Sequence, residues 1–400
     1  MTRTLTPITT RRALVHSLGI IAALGLALAT GPAVAQVQGV TDTEIVLGTH
    51  QDLSGPLAAL GAPFRDGMIL AVEEINAAGG IHGRKIRLVV EDSGYDPKKA
   101  VLITQKMLAQ DKVFALIATL GTATSSVSMP LALDRGVPFL FPASAGENTY
   151  VPYHPLKFAL TAPYSQQTRA GVKYAYETLG KRRFGTIYQD DDTGVNFSRA
   201  FDEQLAVHGL TAVERTTFKR GETDYASQIA RLKAANVDVV MIGSNTRETA
   251  AAALEIRKQG WNVTMIASSG ASTDATIKLA GDSVEGLYAN VQFTSSAQLP
   301  SPGLQAVRDR YKARFGREME AGVNQTYVSM MLFAEGARHA GRNLTPQTLA
   351  QGLEKVKDFK TVFEAPPISY GPNDHQPPRG TMVLQVRGGK WVTVAGPISF

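Results

Sequence analysis

The chain has 400 residues, 44% of them hydrophobic and 19% charged, which excludes a disordered chain and, at about 100–200 residues per domain, predicts two domains or three small ones. Forty-one Lys and Arg against 35 Asp and Glu give a formal +6, and setting aside Arg3, Arg11 and Arg12 leaves +3; interleaved charge without a long basic run excludes a nucleic-acid partner. The absence of cysteine excludes disulfides, thiolate metal sites, iron–sulfur clusters, a cysteine nucleophile and lipid attachment through a thiol.

Arg11 and Arg12 precede an apolar stretch from Ala13 to Ala29, and Ala33-Val34-Ala35 has the small-x-small pattern of a signal peptidase site. Residues 1–35 therefore read as a signal peptide cleaved after Ala35, with the mature chain exported. The alternative, a membrane anchor, needs about 20 apolar residues, and this stretch is shorter and diluted by His16, Ser17, Gly19 and Gly25. Thr10-Arg11-Arg12 leaves the twin-arginine and general export routes both open.

Strands and helices then alternate. Glu44 to Thr49 reads as a strand, and Pro63 opens a helix whose Phe64, Met68, Ala71, Val72 and Ile75 share one face. Ile86 to Val90 is the next strand, followed by a helix from Asp96-Pro97 to about Leu108, with Asp as N-cap and Pro at the first helical position. Phe114 to Ala118 is a strand, Gly121 to Ser126 a turn, and a helix runs to about Arg135 before the strand Pro138 to Phe141. After Pro163 come a helix from Ser165 to Leu179, the strand Phe184 to Gln189, a helix from Val195 to Val207 and the strand Thr211 to Phe218. Helices at Tyr225 to Ala235 and Arg247 to Gln259 then alternate with strands at Asp238 to Ile242 and Val263 to Ala267. Two helices are predicted between Ser301 and Gly341, and strands near Met382 to Val386 and Trp391 to Val394. Alternation with short connections predicts an α/β fold with two doubly wound, Rossmann-like lobes, each a parallel sheet covered by helices.

Enzyme signatures are missing. Gly79-Gly80-Ile81-His82-Gly83-Arg84-Lys85 follows a helix and precedes a strand, the reverse of a phosphate loop. Gly-x-Gly-x-x-Gly, His-Glu-x-x-His and Gly-x-Ser-x-Gly are absent. Asp190-Asp191-Asp192 lacks the surrounding ligand spacing of a calcium site and reads as a helix-capping loop, and the histidines form no pair at metal-ligand spacing. No catalytic residue, metal or cofactor is predicted.

Several segments fall in a recognisable order: Asp52-Leu53-Ser54-Gly55-Pro56, Asn76-Ala77-Ala78-Gly79-Gly80-Ile81-His82-Gly83, Glu91-Asp92 with Asp96-Pro97, and Gly281-Asp282-Ser283-Val284-Glu285-Gly286. Thr223-Asp224-Tyr225, Asp238-Val239-Val240 and Gly371-Pro372 with His375 extend the set. From about Glu44 to Trp391 the chain resembles the type I periplasmic binding proteins of the leucine/isoleucine/valine class. The resemblance implies a monomeric solute receptor whose lobes, joined by a three-crossing hinge, close on a small molecule and deliver it to a membrane ABC permease. The crossings are expected near Thr161 to Pro163, Val291 to Thr294 and Pro366 to Tyr370, giving one lobe of residues 43–163 with 292–368 and another of 164–291 with 369–400.

In open α/β sheets ligands sit beyond the carboxyl ends of the strands, where helix N-termini leave amides unpaired. Gly121-Thr122 and Ala143-Ser144-Ala145 offer amides and hydroxyls suited to a carboxylate, and the resemblance assigns that role to Thr122, Ala143 and Ala145; simple helix capping is the alternative. Ala145, where amino-acid receptors often carry threonine, can offer only its backbone. Family members that bind α-amino acids also carry an acid in the turn matching Ala267-Ser268-Ser269-Gly270 and a tyrosine near Gly243-Ser244-Asn245. Here Ser269 and Asn245 stand instead, and an unpaired buried ammonium is costly. The expected ligand is therefore an aromatic or aliphatic carboxylic acid, held by Thr122 in one lobe and by Thr193, Ser244, Asn245 and Ser269 in the other, with Leu60 on the apolar side and Tyr95 and Tyr153 as candidate ring walls. A receptor for hydrophobic α-amino acids is the alternative, with Glu147, Asp191, Asp192 or Glu248 supplying the missing charge. A ligand-sensing periplasmic module and an enzyme are further alternatives.

Overall fold

The computed structural model describes residues 37–292, 302–320, 322–363, 365, 367–376 and 380–399, with Met1 and Thr2; the signal-peptide residues Arg11 to Ala35 lie outside the described residues.

Strand β1 (Glu44–Gln51) is buried along all but its first residue, as expected of a strand covered on both faces. Helix α1 (Ala58–Ala77) follows. It begins at Ala58 rather than at Pro63, because the Asp52 carboxylate accepts the amides of Gly55 (2.5 Å) and Leu57 (2.6 Å) and starts the turn early. Pro63 sits inside the helix. Next come β2 (Lys85–Asp92), α2 (Pro97–Ala109), β3 (Ala115–Ile117), α3 (Thr122–Leu133), β4 (Phe139–Leu140) and β5 (Lys157–Phe158). Asp96 caps α2 as expected, accepting the Lys98 amide at 2.8 Å. The stretch Gly121 to Ser126, expected as a turn, is helical from Thr122 onward, and Gly121 alone makes the break. These strands form one parallel sheet in the order β2-β1-β3-β4-β5.

A second unit follows: α4 (Tyr164–Glu177), β6 (Phe184–Gln189), α5 (Asp192–Val207), β7 (Glu214–Phe218), α6 (Ala226–Ala234), β8 (Val239–Gly243), α7 (Thr246–Lys258), β9 (Thr264–Ala267), α8 (Asp274–Ala280) and β10 (Tyr288–Val291). Helices α9 (Pro302–Phe315), α10 (Val323–Ala340) and α11 (Pro346–Glu354) precede the hairpin strands β11 (Thr381–Arg387) and β12 (Lys390–Ile398). The second sheet has the order β12-β11-β10-β9-β8-β6-β7, antiparallel only at β10-β11-β12. Side chains alternate across it: Val239 and Met241 join Val172, Phe197 and Phe201 on one face, while Val240 and Ile242 pack with Ile229, Ala253 and Ile256 on the other. That alternation places α4 and α5 on one side and α6 and α7 on the other.

Helix α10 lies against α1 on the first sheet's side. The Thr326 hydroxyl donates to Phe64 O at 2.8 Å, and a Cβ on Gly67 would stand 2.4 Å from Val323 O. The chain passes from the first sheet to the second between β5 and α4, and returns after β10. The third passage differs from expectation. Tyr370 stacks on Phe141 (6.0 Å between centroids) and His375 on Phe158 (3.6 Å), while Ala159 N–H donates to His375 O at 3.0 Å. Those contacts hold the chain on the first sheet past Tyr370, beyond the stretch Pro366 to Tyr370 where the crossing was expected.

Candidate functional site

Because both sheets are parallel in their central strands, the carboxyl ends of β1, β3 and β4 share one edge, as do those of β6, β8 and β9. Between these edges lies a cavity of about 110 Å³. Leu57, Leu60, Phe64, Tyr95 and Leu120 form a buried apolar cluster on one side. Gly121, Thr122, Ala143, Ser144 and Ala145 stand at the first sheet's edge; Asn245, Ser269, Gly270, Ser272 and Thr273 stand at the second's. Thr161, Val291, Gln292, Asn324 and Gln325 close the floor near the chain passages, with Tyr164 also on the wall.

Eight of the ten expected site residues line this cavity: Leu60, Gly121, Thr122, Ala143, Ser144, Ala145, Asn245 and Ser269. Two do not. Ser244 is turned inward, its hydroxyl 2.7 Å from that of Thr249 and its carbonyl accepting from Ser268. Thr193 is buried beside Tyr164 and off the wall, its amide held by Asp191, which caps α5 (2.9 Å). Ala143 lines the cavity, yet its amide is committed to Thr119 O at 2.9 Å and the Gly121 amide to Ala143 O at 3.0 Å. Neither can donate to a ligand. Among the described residues the amides of Thr122 and Ala145 have no protein acceptor. Tyr95 is on the wall, whereas Tyr153 is 43% exposed and packs on His375.

The polar centre of the first edge is a cluster of three hydroxyls. Thr122 Oγ1 lies 3.0 Å from Ser144 Oγ and 3.3 Å from the Tyr164 phenol. Burial raises the Tyr164 pKa, so the phenol stays protonated and able to donate. Among the described residues no charged side chain lines the cavity. The N-terminal ends of α3, α4, α7 and α10 reach it through Gly121, Tyr164, Asn245 and Gly322. Each helix end carries about half a positive charge, so the cavity favours an anion and disfavours a cation.

Of the acids considered as ammonium partners, Glu147, Asp191 and Glu248 are engaged or set back, and the Asp192 side chain lies outside the described residues. Glu147 pairs with Arg199, and Asp191 with Arg220 at 2.8 Å. Glu248 is buried in the first turn of α7, with Oε2 lacking a hydrogen-bond partner and its pKa raised by loss of water. Arg199–Glu147, the Arg220 guanidinium 4.7 Å from the Tyr95 ring centre, and Lys278–Glu320 at 3.8 Å connect the two sides at the rim.

Sequence reasoning missed Tyr164, Gln292, Asn324 and Gln325. They sit at chain passages or at the N-terminus of α10, whose place beside the cavity depends on contacts more than 250 residues apart in sequence, such as Thr326 with Phe64.

Residues 44–390 match the model of a family described as periplasmic binding protein. A protein of Pseudomonas aeruginosa named amino acid binding protein is 27% identical over 83% of this chain and 88% of its own. The Leu/Ile/Val-binding protein of Escherichia coli K12 is 28% identical over 78% of this chain and 83% of its own. Among solved structures, a fatty acid ABC transporter substrate-binding protein from Thermomonospora curvata superposes with a TM-score of 0.81 at 24% identity, covering 92% of this chain and 95% of that one.

Proposed function

The chain belongs to the periplasmic binding protein family, and on that premise we propose that it is an exported, monomeric receptor that traps a small carboxylic acid lacking an α-amino group and presents it to a membrane ABC permease. The observation that carries this reading is a cavity wall without charge onto which four helix N-termini open. A carboxylate gains there from amides, hydroxyls and dipoles, while an α-ammonium finds no carboxylate on the wall. The apolar cluster from Leu57 to Leu120 receives the body of the acid. Cavity size supports a short acid: an engineered cavity of about 150 Å³ holds benzene, so about 110 Å³ suits a body of that scale and not a long alkyl chain. The lobes are residues 43–163 with 302–376, and 164–291 with 380–399. The ligand bridges them and favours the closed arrangement through contacts that the open one lacks.

A second reading rests on Glu248. Its unpartnered Oε2, one helical turn from Asn245 on the wall, would serve an α-amino acid if that carboxylate turned inward, as the names of the relatives suggest.

A thermal-shift screen of short aliphatic and aromatic acids identifies ligands, because a compound that binds only the native state raises its melting temperature. Thr122→Val then tests the site. It should weaken the best acid about tenfold or more, the value of one hydrogen bond to a charged group, with an unchanged far-ultraviolet spectrum. Unaltered affinity would remove Thr122 from the carboxylate site.

A further inference from the structure

Gln292 is 3% exposed and lines the cavity floor, directly after β10. Its Nε2 and Oε1 are both buried without a hydrogen-bond partner. Among the described residues it is the only side chain of the cavity wall in that state. The neighbouring carboxamide of Gln325 is occupied, donating to the Thr161 hydroxyl at 2.6 Å. An unpaired buried amide is costly to maintain, and one beside a cavity gains from a polar group that reaches it from there.

Resting on the reading of the cavity as a carboxylate site, we infer that Gln292 is a specificity residue for a second polar group on the ligand, and that this group is a hydroxyl. The chemistry of the amide selects it. A hydroxyl accepts from Nε2 and donates to Oε1 at once; a second carboxylate would face Oε1 with like charge, and an ammonium would leave Nε2 unmet. The ligand class is a hydroxylated short acid, its carboxylate at Thr122 and Ala145 and its hydroxyl at the floor.

Isothermal titration of the full mature chain with matched pairs tests this: benzoate against 3- and 4-hydroxybenzoate, and pentanoate against 5-hydroxypentanoate. At least one hydroxylated acid should bind about tenfold or more tightly than its plain partner. Gln292→Met, similar in length and without the amide, should erase that preference by weakening the hydroxylated acid alone. The unliganded variant should melt no lower than the parent, because an orphaned polar group has been replaced by an apolar one; a lower melting temperature would mark the amide as structural and overturn the inference. Plain acids binding as tightly as hydroxylated ones would show that water satisfies Gln292, overturning the inference while leaving the carboxylate site in place. If no acid of the panel binds, the carboxylate reading fails and this inference with it.

Discussion

Replacing Gly121 by alanine should destabilise the protein by about 2–5 kcal/mol and remove ligand binding at the same time. Gly121 has φ +96° and ψ 140°, a conformation that side-chain-bearing residues rarely adopt. A Cβ built there stands 2.4 Å from Tyr95 Cε2 and 2.8 Å from Cδ2. The backbone strain and the collision add, because Tyr95 can retreat only into the cavity: it is 4% exposed, packed in the apolar cluster with Leu60 and Phe64, and covered by Arg220. Any relief must come from moving the ring into the cavity or shifting the first turn of α3, and either displaces the Thr122 amide. Chemical denaturation and titration on the same preparation check both effects. A stable variant with parental affinity would mean that the loop tolerates a side chain and that its geometry does not set the site.

The second large effect is a pH dependence of stability originating at His50. Its ring is fully buried, with Nε2 3.0 Å from Ser128 Oγ and Nδ1 without a partner, and burial lowers its pKa from 6.5 to about 4. Above about pH 6.5 the imidazole is neutral in both folded and unfolded chains and the site adds no pH dependence. Between about 6.5 and 4 the unfolded chain takes up a proton that the folded chain refuses, so stability falls with pH at about 1.4 kcal/mol per unit. From pH 6.5 to 5, above most carboxylate titrations, the loss should reach about 2 kcal/mol. Urea unfolding at both values measures it, and His50→Gln, which keeps a hydrogen-bonding group toward Ser128, should flatten the slope by that amount. An equal slope in the variant would assign the effect elsewhere, for instance to His154, whose pKa is also lowered by burial.

Much of the architecture was legible in the sequence because it rests on local chemistry. Asp96-Pro97 caps a helix wherever it occurs in such a context, and buried parallel strands such as Val239–Gly243 announce themselves as short apolar runs. The errors lie where a side-chain contact outside the helix or strand pattern decides a local outcome. Helix α1 starts at Ala58 because of the Asp52 side chain, and Tyr370 and His375 stay beside the first sheet because Phe141 and Phe158 hold them. Helix α11 was missed although Thr345-Pro346 is a readable start, with Thr345 and Thr348 forming a reciprocal cap. For the site, the loops after β3, β4, β8 and β9 line one cavity, since strand ends and helix starts define them. Which amides were already spent was not visible: Ala143 looks available in sequence and is bonded to Thr119 in the fold. Nor could the floor be foreseen, because Gln292 and Gln325 become neighbours of the same cavity only after the chain has crossed between sheets.

The most direct measurement is a calorimetric comparison of 4-methylpentanoate with leucine, which share a carbon skeleton and a carboxylate and differ by one ammonium group. An uncharged wall faced by helix N-termini predicts that the plain acid binds the more tightly, by about tenfold or more, given what an unpaired ammonium loses on leaving water. Leucine binding at least as tightly as the acid would contradict the account and move the ammonium to Glu248.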